Sequence, residues 1–167
     1  ISSAEKYEKE PRGYLRRMFE VLRRYSADPV QDQLRLWDML IFNYLIGNTD
    51  CHIKNFSLLY SPNLKSVRLA PAYDLLSTAV YSQSTREMPF FIGNKLSLDE
   101  IDRDSFKEAA HEIGLGEKMA MRHFDVLCRR FGTSLMLAAG ELCSMGFKQA
   151  AALEEKISET GGIKNFE

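Results

Sequence analysis

The sequence has no run of 18 or more apolar residues, so no segment is expected to cross a bilayer as a helix. Its opening, ISSAEKYEKE, has no apolar stretch of the kind that forms a secretory signal. It starts at Ile1 and not at Met, so a domain cut from a longer chain is expected. Three cysteines, Cys51, Cys128 and Cys143, are too few for a disulfide scaffold. Neither sign of charge is in excess: 22 Lys and Arg face 23 Asp and Glu, a formal net charge of -1. That balance speaks against a dedicated nucleic-acid binder, whose affinity comes mainly from surplus Lys and Arg, although a local basic patch stays compatible with it. No internal repeat and no low-complexity segment occurs. What is present is ordinary: 167 residues, 45% hydrophobic and 27% charged, which suits one cytoplasmic-type globular domain or one lobe of something larger.

The pattern along the chain is mostly helical. Residues 1–13 are polar, contain Pro11 and Gly13, and read as a lead-in. From Tyr14, the residues Leu15, Met18, Phe19 and Leu22 share one helix face, with Arg16, Arg17, Arg23 and Arg24 elsewhere. Those arginines read as a solvated face, with a partner surface as the alternative. Asp28-Pro29 is a helix start, an acidic cap followed by proline in the first turn. The helix predicted over 29–46 turns apolar almost all round from Met39 to Ile46, which places its end inside the domain. Gly47-Asn48 stops it. Two short strands are predicted, 56–60 and 67–70, around the turn Ser61-Pro62-Asn63. Residues 71–97 read as mixed loop. Asp104 is the expected cap of a helix to Ile113, a longer helix follows Gly116, and a last one runs over 146–159. The expected division is a lead-in at 1–13, a lobe at 14–160 and a tail at 161–167. The expected fold is mostly α with one short β-hairpin.

The densest polar cluster follows the most apolar helix: Asp50, His52, Lys54 and Asn55, with Asp74 beyond the hairpin. Polar groups at the end of a buried helix are costly to desolvate without partners, so such a cluster marks a site on a rigid support. These residue types equip metal-assisted phosphoryl transfer. That reaction needs a carboxylate to orient or deprotonate the attacking hydroxyl, oxygen ligands for Mg²⁺ on the nucleotide phosphates, and a cation near the transferred group. Asp50 suits the first role, Asn55 and Asp74 the second, and Lys54 the third. Protein kinases likewise set a catalytic Asp and a metal-binding Asn five apart and follow them with a second acidic residue. His52, two after Asp50, is similar to the D-x-H-x-x-N loop of phosphoinositide-3-kinase-like enzymes. The bland readings are turn residues for Asp50 and Asn55, a solvated Lys54 and a structural loop histidine for His52. Cys51 beside His52 lacks a second ligand pair at zinc spacing. Tyr73 is expected to pack beneath the Asp74 loop. His111 and His123 read as surface or core-edge residues, Cys128 and Cys143 as small core hydrophobes.

A closer resemblance rests on Arg24-Tyr25-Ser26, on the run from Phe42 to Asp50, on His52 and the run from Lys54 to Leu59, and on Ala72-Tyr73-Asp74-Leu75-Leu76-Ser77. Ile92-Gly93-Asn94-Lys95 adds to it, with Asn in place of a second Gly. Over about Glu5 to Gly146 the chain resembles the C-terminal lobe of HipA-like serine/threonine kinases, the toxin component of bacterial type II toxin–antitoxin pairs. The resemblance implies a kinase-like lobe that uses ATP and Mg²⁺ to phosphorylate a protein hydroxyl. In it Asp50 is the catalytic base, Asn55 and Asp74 are the Mg²⁺ ligands, Lys54 is a phosphate contact and His52 holds the loop. It also implies a protein substrate in the translation machinery such as an aminoacyl-tRNA synthetase, growth arrest as the outcome, a helix-turn-helix antitoxin as partner, and DNA only indirectly through that antitoxin. Such a kinase further needs a β-rich N-terminal lobe with a nucleotide-binding Lys. Lys6-Tyr7-Glu8 falls just after its hinge-side segment, so the chain alone is expected to be inactive. A small-molecule or lipid phosphotransferase shares the same core residues, and a non-catalytic kinase-like binding module is the third reading.

Overall fold

The computed structural model describes residues 5–11 and 13–166. In chain order these form α1 (Tyr14–Tyr25), α2 (Pro29–Leu45), β1 (Leu58–Tyr60), β2 (Val67–Leu69), β3 (Glu87–Ile92), β4 (Lys95–Ser97), α3 (Arg103–Glu112), α4 (Glu117–Ser144) and α5 (Ala150–Thr160). Single 3-10 turns lie at Ile53–Asn55 and Thr78–Val80, and a longer one at Gly162–Phe166. The architecture is mostly helical, as the periodicity indicates.

α2 is the axis of the core. Asp28 caps it, accepting from the Gln31 N–H at 3.2 Å, and Pro29 opens its first turn. Leu36, Trp37, Leu40, Ile41, Tyr44 and Leu45 are buried along it. α1 lays Leu15, Phe19 and Leu22 in the core on one side of this helix; α4 packs on it, with the Phe131 ring 6.1 Å from that of Phe42. The Trp37 indole N–H donates to the Ala120 carbonyl at 2.9 Å, which satisfies a polar atom that burial would otherwise penalise. Phe106 of α3 sits among rings, 5.8 Å from Trp37, 5.2 Å from Tyr44 and 4.7 Å from Phe124, centroid to centroid.

β1 and β2 pair antiparallel with Leu58 opposite Leu69 and Tyr60 opposite Val67. Asp32, wholly buried in the first turn of α2, holds this hairpin. Its carboxylate accepts the Arg68 Nε and Nη2 at 3.0 Å each, the Leu69 N–H at 2.8 Å and the Ser26 hydroxyl at 2.7 Å. Burial pushes the Asp32 pKa up, but the donors of these three residues outweigh it and bring the group down to about 2.

Three expectations need correction. The stretch 71–97 is not all loop: β3 and β4 make a second hairpin around Gly93-Asn94, with Gly93 at φ 61°. Pro89 hides this strand from a sequence reading, because proline demotes an apolar run to an edge or to no strand. The cap of α3 is Asp102, whose carboxylate accepts the Ser105 N–H at 2.9 Å while the Ser105 hydroxyl oxygen accepts the Asp102 N–H at 3.2 Å, a reciprocal box that Asp104 has no part in. The last helix begins at Ala150. Beyond it, residues 162–166 turn back onto the core: Asn165 donates to the Tyr44 hydroxyl at 2.8 Å and to the Leu98 carbonyl at 3.0 Å, and Phe166 meets Tyr44 and Phe124. Among the described residues no helix is long and apolar enough to cross a membrane.

Candidate active site

The C-terminus of α2 delivers the polar loop. Gly47, at φ 70°, turns the chain out of the helix, and a Cβ there would lie 2.7 Å from that of Ala79, so the position requires glycine twice over. Asn48 is buried and braces both sides of the turn. Its Nδ2 donates to Asn43 Oδ1 at 2.7 Å and to the Asp74 carbonyl at 3.0 Å, while its Oδ1 accepts the Asp50 N–H at 3.2 Å. Thr78 makes a second brace. Its hydroxyl oxygen accepts the Thr49 N–H at 2.7 Å, lies 2.8 Å from the Thr49 hydroxyl, and donates to the Gly47 carbonyl at 3.1 Å. The loop at 47–55 and the loop at 72–78 are thereby locked to each other by partly buried hydrogen bonds.

This locking brings Asn55 to Asp74. The Asn55 amide donates to Asp74 Oδ2 across 19 positions of sequence. Asn55 is nearly enclosed, and Asp74 stands at φ 55°, a left-handed conformation that Asp tolerates better than most residues and that recurs at functional sites. Asn55 Oδ1 and the second Asp74 oxygen are then one neutral and one charged hard donor. That pair fits Mg²⁺, which takes one or two protein oxygens and fills its octahedron with water and substrate phosphate. Among the described residues no group of three or more His, Cys, Asp or Glu gathers, so these side chains do not build a cage that dispenses with substrate oxygens.

Asp50 lies on the same loop with its side chain half exposed. The Tyr7 hydroxyl donates to its Oδ1, and the Lys6 ammonium stands 3.9 Å from that same oxygen. Lys54 is exposed, and its ammonium makes no ion pair with Asp50 or Asp74. Its carbonyl accepts the Tyr73 hydroxyl at 2.8 Å, a hydroxyl that also lies 2.7 Å from that of Ser57, so Tyr73 straddles the two loops and is not packed beneath Asp74. The His52 ring is edge-on to Tyr7 at 5.7 Å, with Nδ1 buried and unpartnered, while its backbone makes the turn: His52 N–H donates to the Asp50 carbonyl at 2.7 Å and Asn55 N–H to the His52 carbonyl at 2.8 Å. Cys51 is buried, which pushes its thiol far above the usual range and leaves it inert.

Lys6, Tyr7, Asn43, Asn48 and Thr78 are the site's contributors that the sequence reading gave no role. Asn43 and Asn48 carried a signal, one amide inside an otherwise apolar helix end and one just past it. Tyr7 carried none, since nothing local ties it to a loop 43 residues away. Beside the site, α1 and the first hairpin leave an apolar groove of about 420 Å³, lined by Met18, Leu22, Leu36, Phe56 and Leu58 among others; it adjoins the polar loop through Ile53 and Phe56.

Residues 1–135 match the family model described as the HipA-like C-terminal domain. Putative kinase Y4mE of Sinorhizobium fredii is 42% identical over 117 residues, covering 70% of this chain and 27% of that protein. The serine/threonine-protein kinase toxin HipA of Shewanella oneidensis is 32% identical over 92 residues, covering 53% of this chain and 20% of that one. A chain in the solved complex of Shewanella oneidensis HipA, HipB and operator DNA superposes with a TM-score of 0.78 at 20% identity, over 94% of this chain and 39% of its own length; that likeness is one of fold. The chain spans about a quarter of the length of the relatives it matches, 27% and 20% in these two cases.

Proposed function

The chain belongs to the HipA-like C-terminal domain family, and from that premise we propose that it is the catalytic lobe of an ATP-dependent serine/threonine protein kinase. One observation carries the reading: Asn55 and Asp74, distant in sequence, share a hydrogen bond beside a loop that presents Asp50. In this reading Asp50 accepts the proton of the attacking hydroxyl, which raises the nucleophilicity of that oxygen as it meets the γ-phosphoryl group. Asn55 Oδ1 and Asp74 hold Mg²⁺, whose contribution is to neutralise charge on the phosphates. Lys54, exposed and unpaired with either carboxylate, is left available for a phosphate oxygen, and His52 shapes the turn that carries it. ATP is the nucleotide.

The nucleotide Lys, the phosphate-covering loop and the hinge come in this proposal from an N-terminal lobe, so residues 1–167 alone are inactive. The Shewanella oneidensis toxin–antitoxin complex, in which HipA is assembled with HipB and operator DNA, supports an antitoxin as partner; in this proposal the antitoxin is a helix-turn-helix protein and DNA is met only through it. A cytoplasmic growth-arresting toxin acting on a translation protein, such as an aminoacyl-tRNA synthetase, completes the reading.

The test is Mg-ATP phosphotransfer by the full-length protein against protein hydroxyls, lipids and sugars. Asp50→Asn is expected to lower transfer by about 10²-fold or more, the range of a lost general base. Asp74→Ala is expected to weaken Mg-ATP binding in calorimetry as well. Near wild-type transfer by Asp50→Asn would end the role given to Asp50. Transfer to lipids or sugars in preference to proteins would favour the small-molecule enzyme, and absence of Mg-dependent nucleotide binding would favour a non-catalytic module.

A further inference from the structure

Asp50 has its backbone fixed by Asn48, yet its half-exposed side chain has no partner within its own loop. What holds the carboxylate arrives from residues 5–8. The Tyr7 hydroxyl donates to Oδ1, Lys6 Nζ lies 3.9 Å from the same atom and 4.6 Å above the Tyr7 ring, and that ring stands edge-on to His52.

This segment is built into the fold. Glu8 is only 4% exposed, and both its oxygens are used: Oε1 accepts the Tyr14 N–H at the start of α1 at 3.2 Å, and Oε2 accepts the Phe91 N–H of β3 at 3.0 Å. The Glu8 N–H donates to the Pro89 carbonyl at 2.8 Å. On the other side, the Tyr14 hydroxyl donates to the Glu5 carbonyl at 2.9 Å. A carboxylate that deep is retained only with its donors in place, so Lys6 and Tyr7 lie between two pinned points. The open edge of the second hairpin is closed by the same residue that aims Tyr7.

Resting on the kinase reading above, we propose that Tyr7, assisted by Lys6, is a positioning residue of the phosphotransfer site: it holds Oδ1 of Asp50 so that Oδ2 is the atom left to take the proton of the acceptor hydroxyl. An exposed aspartate otherwise samples several rotamers. Holding one oxygen removes most of them, and misplacing a catalytic group by about 1 Å can cost up to about 10²-fold in rate. Burial and the Asp50 contact both keep Tyr7 protonated at neutral pH, with Lys6 pulling the other way, so the phenol remains a donor.

The test compares wild type, Tyr7→Phe, Asp50→Asn and the double variant of the full-length protein in Mg-ATP phosphotransfer. Tyr7→Phe is expected to lower kcat by about tenfold, with KM for ATP and Tm unchanged, because only the aim of Asp50 is lost. The double variant is expected to be no slower than Asp50→Asn alone. A Tyr7→Phe variant with wild-type or higher kcat would overturn the proposal; in the latter case Tyr7 would be a plug at the acceptor position. Full additivity in the double variant would overturn it too. The contact has its own readout: with ¹³Cζ-labelled tyrosine, the Tyr7 resonance, assigned by its loss in Tyr7→Phe, is expected to move in Asp50→Asn, and an unmoved resonance would refute the contact. A wild type that transfers nothing while this resonance does move would sink the kinase reading and, with it, the positioning role, leaving only the contact.

Discussion

One buried amide, Asn48, serves three partners, one on α2 and one on each of the two loops. Removing it leaves the Asp50 N–H and Asn43 Oδ1 to find water in a closed place, and each buried group left unpaired costs about 1–3 kcal/mol. Asn48→Ala is therefore expected to lower the unfolding free energy by about 2 kcal/mol in urea titration. The same variant is expected to lose transfer activity beyond what its stability explains, since it frees the Asp74 backbone from the Asp50 loop. The chemistry-bearing residues were visible because their types are unusual after an apolar helix. Asn48 lay in the same run, but its role depends on where Asp74 returns, and sequence spacing does not state that.

Among elements, the first hairpin depends on α2 through Asp32. The group is held down to about 2 by Arg68, Leu69 N–H and Ser26 against the upward push of burial. Since the folded value lies below the unfolded value near 3.9, the ionised form stabilises the fold above about pH 4, and this contribution is lost as pH falls toward 2. Urea midpoints measured at pH 5 and pH 2.5 are expected to differ more in wild type than in Asp32→Asn, which has no such proton to take up. At pH 7, Asp32→Ala is expected to cost about 2 kcal/mol, from stranding the Leu69 N–H and the Ser26 hydroxyl. α1, α2 and the first hairpin were legible from periodicity and from Asp28-Pro29. The second hairpin was not, because β3 carries Pro89 and buries Met88, Pro89 and Phe90 in succession without alternation. Glu8 covers part of its free edge, through a contact 83 residues long in sequence.

Across the whole molecule, the aromatic cluster joins α2, α3, α4 and the chain's last turn. Phe106→Ala removes a fully buried ring that meets three others, and about 3–5 kcal/mol is the expected loss. For a chain of this size that corresponds to a Tm lower by about 10 °C in calorimetry. Deleting residues 162–167 is likewise expected to lower Tm, since Phe166 covers Tyr44 and Phe124 and Asn165 bonds the Tyr44 hydroxyl.

The sequence by itself determined the helices, the place where α2 stops, and the set of groups suited to phosphoryl transfer. Each is a local matter: apolar period, capping chemistry, and the cost of burying a charge. Only the tertiary structure decided that Asn55 reaches Asp74, that Glu8 closes an edge strand, and that Tyr7 meets Asp50. Those contacts join segments whose separation along the chain carries no periodic signal. They form because buried polar groups must find partners wherever packing of the apolar core has brought them.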